Sequence, residues 1–478
     1  FMMMESNGQV LIIGAGPAGL TAAYELKRHS VGCIVIEADD VVGGISRTVV
    51  KNGWRFDIGG HRFFTKVPRV EAFWHEILED ERFLSRPRMS RIFYRNKFFD
   101  YPLKPFKALI LLGFTESFLC LFSYFNSFLF PIKNTDNFES WVSNRFGKRL
   151  YRIFFKGYTE KLWGIKCESL TAEFAQQRIK KFSLGEAIIS AFKINKTKHK
   201  TLVDQFAYPL GGNGKVYDNM LKTYESNGGR IIFKSNILEI SLTEKNTYLL
   251  KTEIGNEEFD FLISSMPIDN FLKIFKSTNT SILKSVPSLV FRNTIIVYVQ
   301  LNKTNLFKDQ WLYIQDENIL TGRVTNFNNW VPDIIGDKKD TVLALEYWCY
   351  EMDSIWALEK KSFSEIISKD LLNCGFIDES NEILDFEVIR IPKCYPVYKD
   401  DYKIHLEKIQ NFIDGFDNLQ LIGRYGSFKY NNQDHSILMG YLAARNITKN
   451  EKNNIWDINT DYEYHESSII TETGLKSN

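Results

Sequence analysis

The chain is predicted to be an α/β protein, with a parallel sheet near its start, a helical insertion and a second, strand-rich region. Three observations carry this. An apolar strand, Val10–Ile13, runs into glycines and then a helical repeat. Residues 67–200 keep apolar side chains three and four apart, as in Val70, Phe73, Trp74, Ile77 and Leu78. Residues 289–400 instead run in short apolar or alternating stretches divided by turn residues.

The stretch Val10–Glu37 organises the rest. Gly14, Gly16 and Gly19 stand at G-x-G-x-x-G spacing, Leu20, Ala23, Tyr24 and Leu26 follow at helical spacing, and Cys33–Ile36 reads as a second strand. Gly14 permits a tight turn, Gly16 lets backbone approach a pyrophosphate, and Gly19 lets helix and strand pack closely. Glu37 ends the second strand, 18 residues after the last glycine, where a carboxylate accepts from a ribose hydroxyl. Three such glycines arise by chance in roughly one chain of this size in ten, so the flanking strand, helix and acid carry the specificity.

Composition narrows the function classes. Sixty basic against 58 acidic side chains leave a net charge of +2, which argues against a general nucleic-acid or anionic-surface binder. The six cysteines are scattered, with no C-x-x-C, so neither a metal site nor a disulfide framework is expected. The first strand begins within ten residues, which leaves no room for a signal peptide; together these point to the cytoplasm.

After Glu37 come Ala38, Gly43, Gly44, Arg47 and Thr48, the pattern A-x-x-x-x-G-G-x-x-R-T, and then Phe56-Asp57-Ile58-Gly59-Gly60-His61. A second glycine pair beyond the ribose-binding acid allows close backbone approach, and an arginine there can meet phosphate. The two-part signature resembles the FAD-binding amine-oxidase-like superfamily, which includes monoamine oxidases, protoporphyrinogen oxidase, phytoene desaturases and UDP-galactopyranose mutases. The resemblance implies FAD. It also implies a role for Gly59, Gly60 and His61 against the flavin ring, the alternative being a structural histidine.

Further along, Arg91–Lys97 reads as a hairpin turning at Arg95-Asn96 and leading to Tyr101. Leu109–Phe130 is very apolar, but Glu116 and Gly113 interrupt it. A buried helix or helix pair is expected there, with a monotopic membrane contact or an oligomer face as the alternatives. Tyr158–Ile165 and Arg178 are similar to a mutase stretch in which an arginine follows an aromatic-lysine-tryptophan run; a solvated helix arginine is the alternative for Arg178. Tyr208–Gly214 is a turn-rich loop, a second place where backbone could approach a cofactor. Tyr248–Ile254 and Glu258–Ser264 read as strands around a Gly255-Asn256 turn.

Trp311 and Tyr313 precede Arg323 by about the spacing of the eukaryotic-type mutases, an aromatic pair and then ten residues to an arginine on the diphosphate. Taken alone, the aromatics read as a sheet pair. Seven residues past Arg323 the mutases place a tyrosine on the phosphates; here Trp330 stands there. Tyr395 and Tyr430 match two further phosphate-binding tyrosines. The segment Gly423-Arg424, then Asn432-Gln433-Asp434-His435-Ser436, repeats the strand, glycine turn and helix logic; Asp434 or Ser436 is expected to cap that helix, and the segment to close the FAD site.

The resemblance therefore implies a Rossmann-like FAD-binding domain (7–66, 201–280 and 415–450), a helical insertion domain (67–200), an antiparallel-sheet substrate domain (281–414) and a polar tail (451–478). It implies a UDP-galactopyranose mutase-like enzyme, active with reduced FAD, that interconverts the pyranose and furanose forms of a nucleotide sugar through a flavin N5–sugar adduct without net redox change. Arg178 and Arg323 would hold the diphosphate, His61 would position the flavin, and Tyr101, Trp311, Tyr313, Trp330, Tyr395 and Tyr430 would line the substrate. An external reductant such as NAD(P)H and a homo-oligomer are left open. The alternative is an FAD oxidase or desaturase acting on an apolar or amine substrate, with 109–130 as its access element.

Overall fold

The computed structural model describes residues 9–51, 53–63, 65, 67–78, 83–101, 103–172, 205–330, 340–399 and 401–458, with two further backbone pairs at 470–471 and 474–475. The chain divides into two compact units, Phe1–Ser85 with Phe206–Val290 and Asp401–Asn478, and Arg86–Gln205 with Phe291–Asp400. The mixed α/β class expected from the sequence is observed.

In the first unit, five parallel strands stand in the order Leu419–Leu421, Phe261–Ser264, Val10–Ile13, Cys33–Ile36, Arg230–Ile232. Val10–Ile13 and Cys33–Ile36 are buried at every position, as strands covered on both faces must be. The helix Pro17–Arg28 connects them, with proline at its first turn and Lys27 and Arg28 in its last. Helix Gln433–Thr448 crosses it closely. Gly440 makes this crossing feasible, because a Cβ there would stand 2.1 Å from the Ala18 carbonyl oxygen. Asn432, not Asp434 or Ser436, caps this helix, in a reciprocal capping box with His435.

The expected hairpin after Tyr248 also shifts. Thr252 pairs with Gly255, so the turn is Glu253-Ile254, and Phe261–Ser264 leaves the hairpin to join the parallel sheet. The start of the supposed tail packs down: Ile455, Trp456 and Ile458 are buried, and the Trp456 indole donates to Asp414 Oδ1 at 3.2 Å.

In the second unit, seven strands run Ile383–Val397, Val290–Leu301, Thr341–Cys349, Arg323–Asn326, Trp311–Ile314, Ser90–Tyr94, Lys97–Asp100. Thr341–Cys349 is buried throughout, and helix Phe363–Asn373 packs Phe363, Ile367 and Leu371 into the same core. Ser90–Tyr94 and Lys97–Asp100 form the expected hairpin, with Arg95 and Asn96 both at positive φ in its turn. That hairpin pairs in parallel with Trp311–Ile314. The sheet is therefore not purely antiparallel, and Arg86–Gln205 falls in one unit with Phe291–Asp400.

The apolar stretch 109–130 is a helix pair, Pro105–Leu112 and Phe114–Leu129, broken at Gly113 with φ +90°. The expectation of burial fails: on the second helix only Cys120 is buried. Among the described residues no helix is long and apolar enough to cross a membrane.

Candidate functional site

The first unit holds the glycine cradle. Gly14 turns at φ +93°, and its N–H bonds to the Ile36 carbonyl at 2.8 Å. A Cβ on Gly14 would stand 2.3 Å from Ser265 Oγ, and one on Gly19 would stand 1.9 Å from the Gly14 oxygen. These two glycines are required by the protein itself. Gly16 differs: its added Cβ would find only Gly44 Cα, at 3.9 Å. Among the described residues nothing demands glycine there, whereas a phosphate group approaching the backbone would. Gly16 also caps the following helix without any side-chain bond, which leaves that helix start available to an anion.

Glu37 accepts from the Ala15 N–H at 2.6 Å through one oxygen and from the Asp39 N–H at 2.9 Å through the other. A carboxylate has about four lone-pair positions, so it can tie down the glycine turn and still accept from a ribose hydroxyl. Gly43 bonds to the Ala15 carbonyl and Gly44 lies against Gly16, which brings the second glycine pair onto the first turn. Arg47 pairs with Asp39.

Gly59 sits at φ +81°, and the loop through Gly60 and His61 is pinned from two sides. The Asn213 amide donates to the His61 carbonyl, and Gln433 Nε2 donates to the Arg62 carbonyl at 3.3 Å. Tyr217 in turn donates to Gln433 Oε1 at 2.9 Å. Gln433 therefore acts on the loop that carries His61. Ser436 and Asp434 are buried in the first turn of the same helix, and burial pushes the Asp434 carboxyl up to about 7 against a bond from Thr65. Gly423 lies on Ala18, and Arg424 stacks over the Tyr430 ring at 4.6 Å while donating to the Asn431 carbonyl.

The sequence reading missed the anchor of this unit. Asp57 is wholly buried and accepts from Thr48 Oγ1, the Tyr208 hydroxyl and the Asn213 N–H. Burial raises its carboxyl to about 6 in spite of those donors. The space that Gly212 and Gly214 leave is filled by Thr48 and Asp57, so these two glycines serve packing. Only the spacing of a lone Asp before the double glycine hinted at it.

The second unit holds the phosphate-competent cluster. Arg323 faces Glu346 across paired strands, and its Nε and Nη2 donate to the two carboxylate oxygens at 2.7 and 2.6 Å. Burial alone would lower the guanidinium pKa; Glu346 outweighs it and holds it well above the usual value. Tyr313 meets Tyr101 at 4.6 Å and, edge-on, Tyr158 at 5.2 Å. Trp311 lies 6.4 Å from Tyr313. Arg88 stands over both Tyr101 and Trp311 at 5.5 and 5.8 Å. Tyr395 is buried, edge-on to Trp163.

Helix Gly157–Trp163 positions Tyr158. Gln315 Oε1 accepts from the Tyr158 N–H, and Lys161 Nζ donates to the Asp316 carbonyl at 2.6 Å. Burial lowers Lys161 to about 8. The indole N–H of Trp311 and the hydroxyl of Thr325, cross-strand partners, are buried with no hydrogen-bond partner among the described residues.

Trp330 requires a correction. It is fully buried and donates its N–H to the Gln310 carbonyl at 3.2 Å, so it supports Trp311 from within the core and does not reach a phosphate. Glu346 escaped the sequence reading because cross-strand register decides its partner, and Arg88 because it lies in the link before Ser90–Tyr94 and meets aromatics distant in sequence. Arg178 lies outside the described residues.

The profile of the flavin-containing amine oxidoreductase family matches residues 17–369. A solved structure of a reduced UDP-galactopyranose mutase superposes with a TM-score of 0.82 at 22% identity, covering 95% of this chain and 99% of that one. The chain is 25% identical over 194 residues to a probable UDP-galactopyranose mutase of Klebsiella pneumoniae, 38% of this chain and 47% of the relative. It is 34% identical over 92 residues to protoporphyrinogen oxidase 2 of Arabidopsis thaliana, 19% and 18% respectively. These matched stretches span less than half of the curated relatives' own length, and the superposition shows a shared fold. FAD is the implied cofactor, and the open approach at Gly16 and the spare acceptor capacity of Glu37 fit it. By the extent of the profile match, this chain belongs to the flavin-containing amine oxidoreductase family.

Proposed function

We infer that the protein is a mutase-like isomerase that interconverts pyranose and furanose forms of a nucleoside diphosphate sugar while FAD is reduced. The observation that carries this reading is Arg323, paired in register with Tyr313 and held in a fork by Glu346 while its side chain stays 21% exposed. A guanidinium with an open edge suits a ligand rich in acceptors. A uracil or ribose supplies acceptors and a flat face for Tyr313; a diphosphate suits the guanidinium edge that Glu346 leaves over.

In this reading Arg323 holds the diphosphate as the anomeric C–O bond breaks, and stabilises the charge on the leaving oxygen. Glu346 keeps the guanidinium oriented and charged. Tyr395 supplies a hydroxyl donor. His61, on a loop fixed by Asn213 and Gln433, positions the flavin ring, and Gly14–Gly19 with Glu37 bind the pyrophosphate and ribose of the cofactor. When bound and reduced, FAD would supply the nucleophile at the anomeric carbon, and the isomerisation is redox-neutral overall, so it needs no oxidant. NAD(P)H is the proposed source of the initial reduction.

The second reading, an oxidase or desaturase on an apolar substrate, is favoured by the likeness to protoporphyrinogen oxidase. It would leave the open edge of Arg323 without an anion to meet it. Titrating oxidised and dithionite-reduced protein with UDP, followed by flavin fluorescence, separates the two. Saturable binding that Arg323→Ala removes is expected; no binding in either redox state would overturn the mutase reading.

A further inference from the structure

The helix Phe114–Leu129 is built inside out. Glu116, Cys120 and Ser123 face the protein: Cys120 is fully buried, Glu116 pairs with Arg149, and Ser123 Oγ accepts from the Arg149 N–H. Gly147 permits the close approach, since a Cβ there would stand 2.7 Å from the Tyr124 nitrogen. Phe114, Phe118, Phe122, Phe125, Phe128 and Leu129 recur at three- and four-residue spacing and form one stripe on the other side. They are 59–90% exposed. With aromatic side chains offering about 150–250 Å² each, the five phenylalanines alone present roughly 700 Å². The largest patch on an ordinary monomer is about 300–600 Å². Phe106 and Ile110, on the preceding helix, are exposed as well.

We propose that this helix pair is a lipid-docking element that lies in the plane of an anionic bilayer. Sixteen residues of helix span about 24 Å, short of the roughly 30 Å hydrocarbon core, so the element rests in the interface and does not cross it. The stripe is Phe and Leu alone, which hydrocarbon accepts without hydrogen bonds. Between Arg95 and Lys133, five basic side chains (Arg95, Lys97, Lys104, Lys107 and Lys133) stand against two acidic ones, Asp100 and Glu116. Asp100 is already met by Lys104 and Lys107, and Glu116 by Arg149. Anionic headgroups complement this excess.

A second copy of the chain is a poorer occupant. Isologous pairing would set the cationic stretch against itself. The stripe also offers none of the hydrogen bonds, on the order of one per 100–200 Å², that protein interfaces carry. The docking reading is independent of which chemistry the FAD site performs.

The test is flotation of the FAD-loaded full chain with vesicles of phosphatidylcholine containing phosphatidylglycerol, with phosphatidylcholine alone as the comparison. The chain is expected to float with the anionic vesicles and to dissociate as salt is raised. Phe118→Ser/Phe122→Ser/Phe125→Ser should weaken binding at least ~10-fold with unchanged flavin content. Should that triple variant lose its flavin, Phe114→Ser, at the most exposed position, gives the same reading with less disturbance. Failure to float would overturn the proposal, as would a dimer in sedimentation that the triple variant converts to monomer. Equal binding to neutral vesicles would overturn its anionic part.

Discussion

Glu346→Gln removes the charge opposite Arg323 and keeps the side chain's shape. In the native pair both carboxylate oxygens accept from the guanidinium, at 2.7 and 2.6 Å, and the Glu346 side chain is 1% exposed. The amide retains one acceptor and turns an N–H towards the other guanidinium N–H, so one bond is lost and the other loses its charge assistance. Bonds to charged groups contribute about 1.5–3 kcal/mol each, which sets the expected loss at ~3 kcal/mol. For a compact unit of this size that lowers the melting temperature by roughly 6–12 °C. Thermal unfolding of the FAD-loaded protein reads it directly. The double variant Arg323→Met/Glu346→Leu sharpens the test. Replacing a buried pair by apolar groups of similar volume is often neutral, so most of the stability should return while nucleotide binding stays lost. A Glu346→Gln protein melting within about a degree of the parent would refute the reasoning. So would a double variant no more stable than the single one.

The cradle gives a paired prediction. Gly16→Ala should fold and melt like the FAD-free parent yet retain little FAD, because its Cβ meets nothing closer than 3.9 Å in the protein; Gly19→Ala, with a Cβ 1.9 Å from the Gly14 oxygen, should fail to fold. Absorbance of purified protein and its unfolding curve distinguish them, and normal FAD content in Gly16→Ala would contradict the cradle. Asp434 titrates near 7 when folded and near 3.9 unfolded, so the stability its neutral form confers is complete below about pH 4 and is lost as pH rises through about 7. The stability difference between the parent and Asp434→Asn should therefore fall across that window; a flat difference would contradict the assignment. Trp330→Phe should cost about 1 kcal/mol of stability by losing the bond to Gln310 and leave UDP affinity nearly unchanged.

Local chemistry was legible wherever the sequence itself fixed the geometry. The turn at Gly14, the acid at Glu37 and the hairpin turn at Arg95-Asn96 follow from backbone preference and spacing, and all stand where expected. What escaped depends on partners distant in sequence. Glu346 becomes visible only when Arg323–Asn326 and Thr341–Cys349 are placed in register. Asp57 needs Tyr208 and Asn213, some 150 residues on, to become an anchor. Trp330 reads as a surface donor until the core is closed around it. Apolar periodicity in Phe114–Leu129 marks a stripe without saying which way it faces, and here the small and polar side is the one packed against the protein.

The central claim is tested most directly by incubating the dithionite-reduced, FAD-loaded protein with UDP-galactose and resolving the sugar products by NMR. The account predicts a UDP-furanose formed by the reduced protein, none by the oxidised protein and none by Arg323→Ala. Unchanged pyranose, together with oxygen consumption on an apolar or amine substrate, would contradict it.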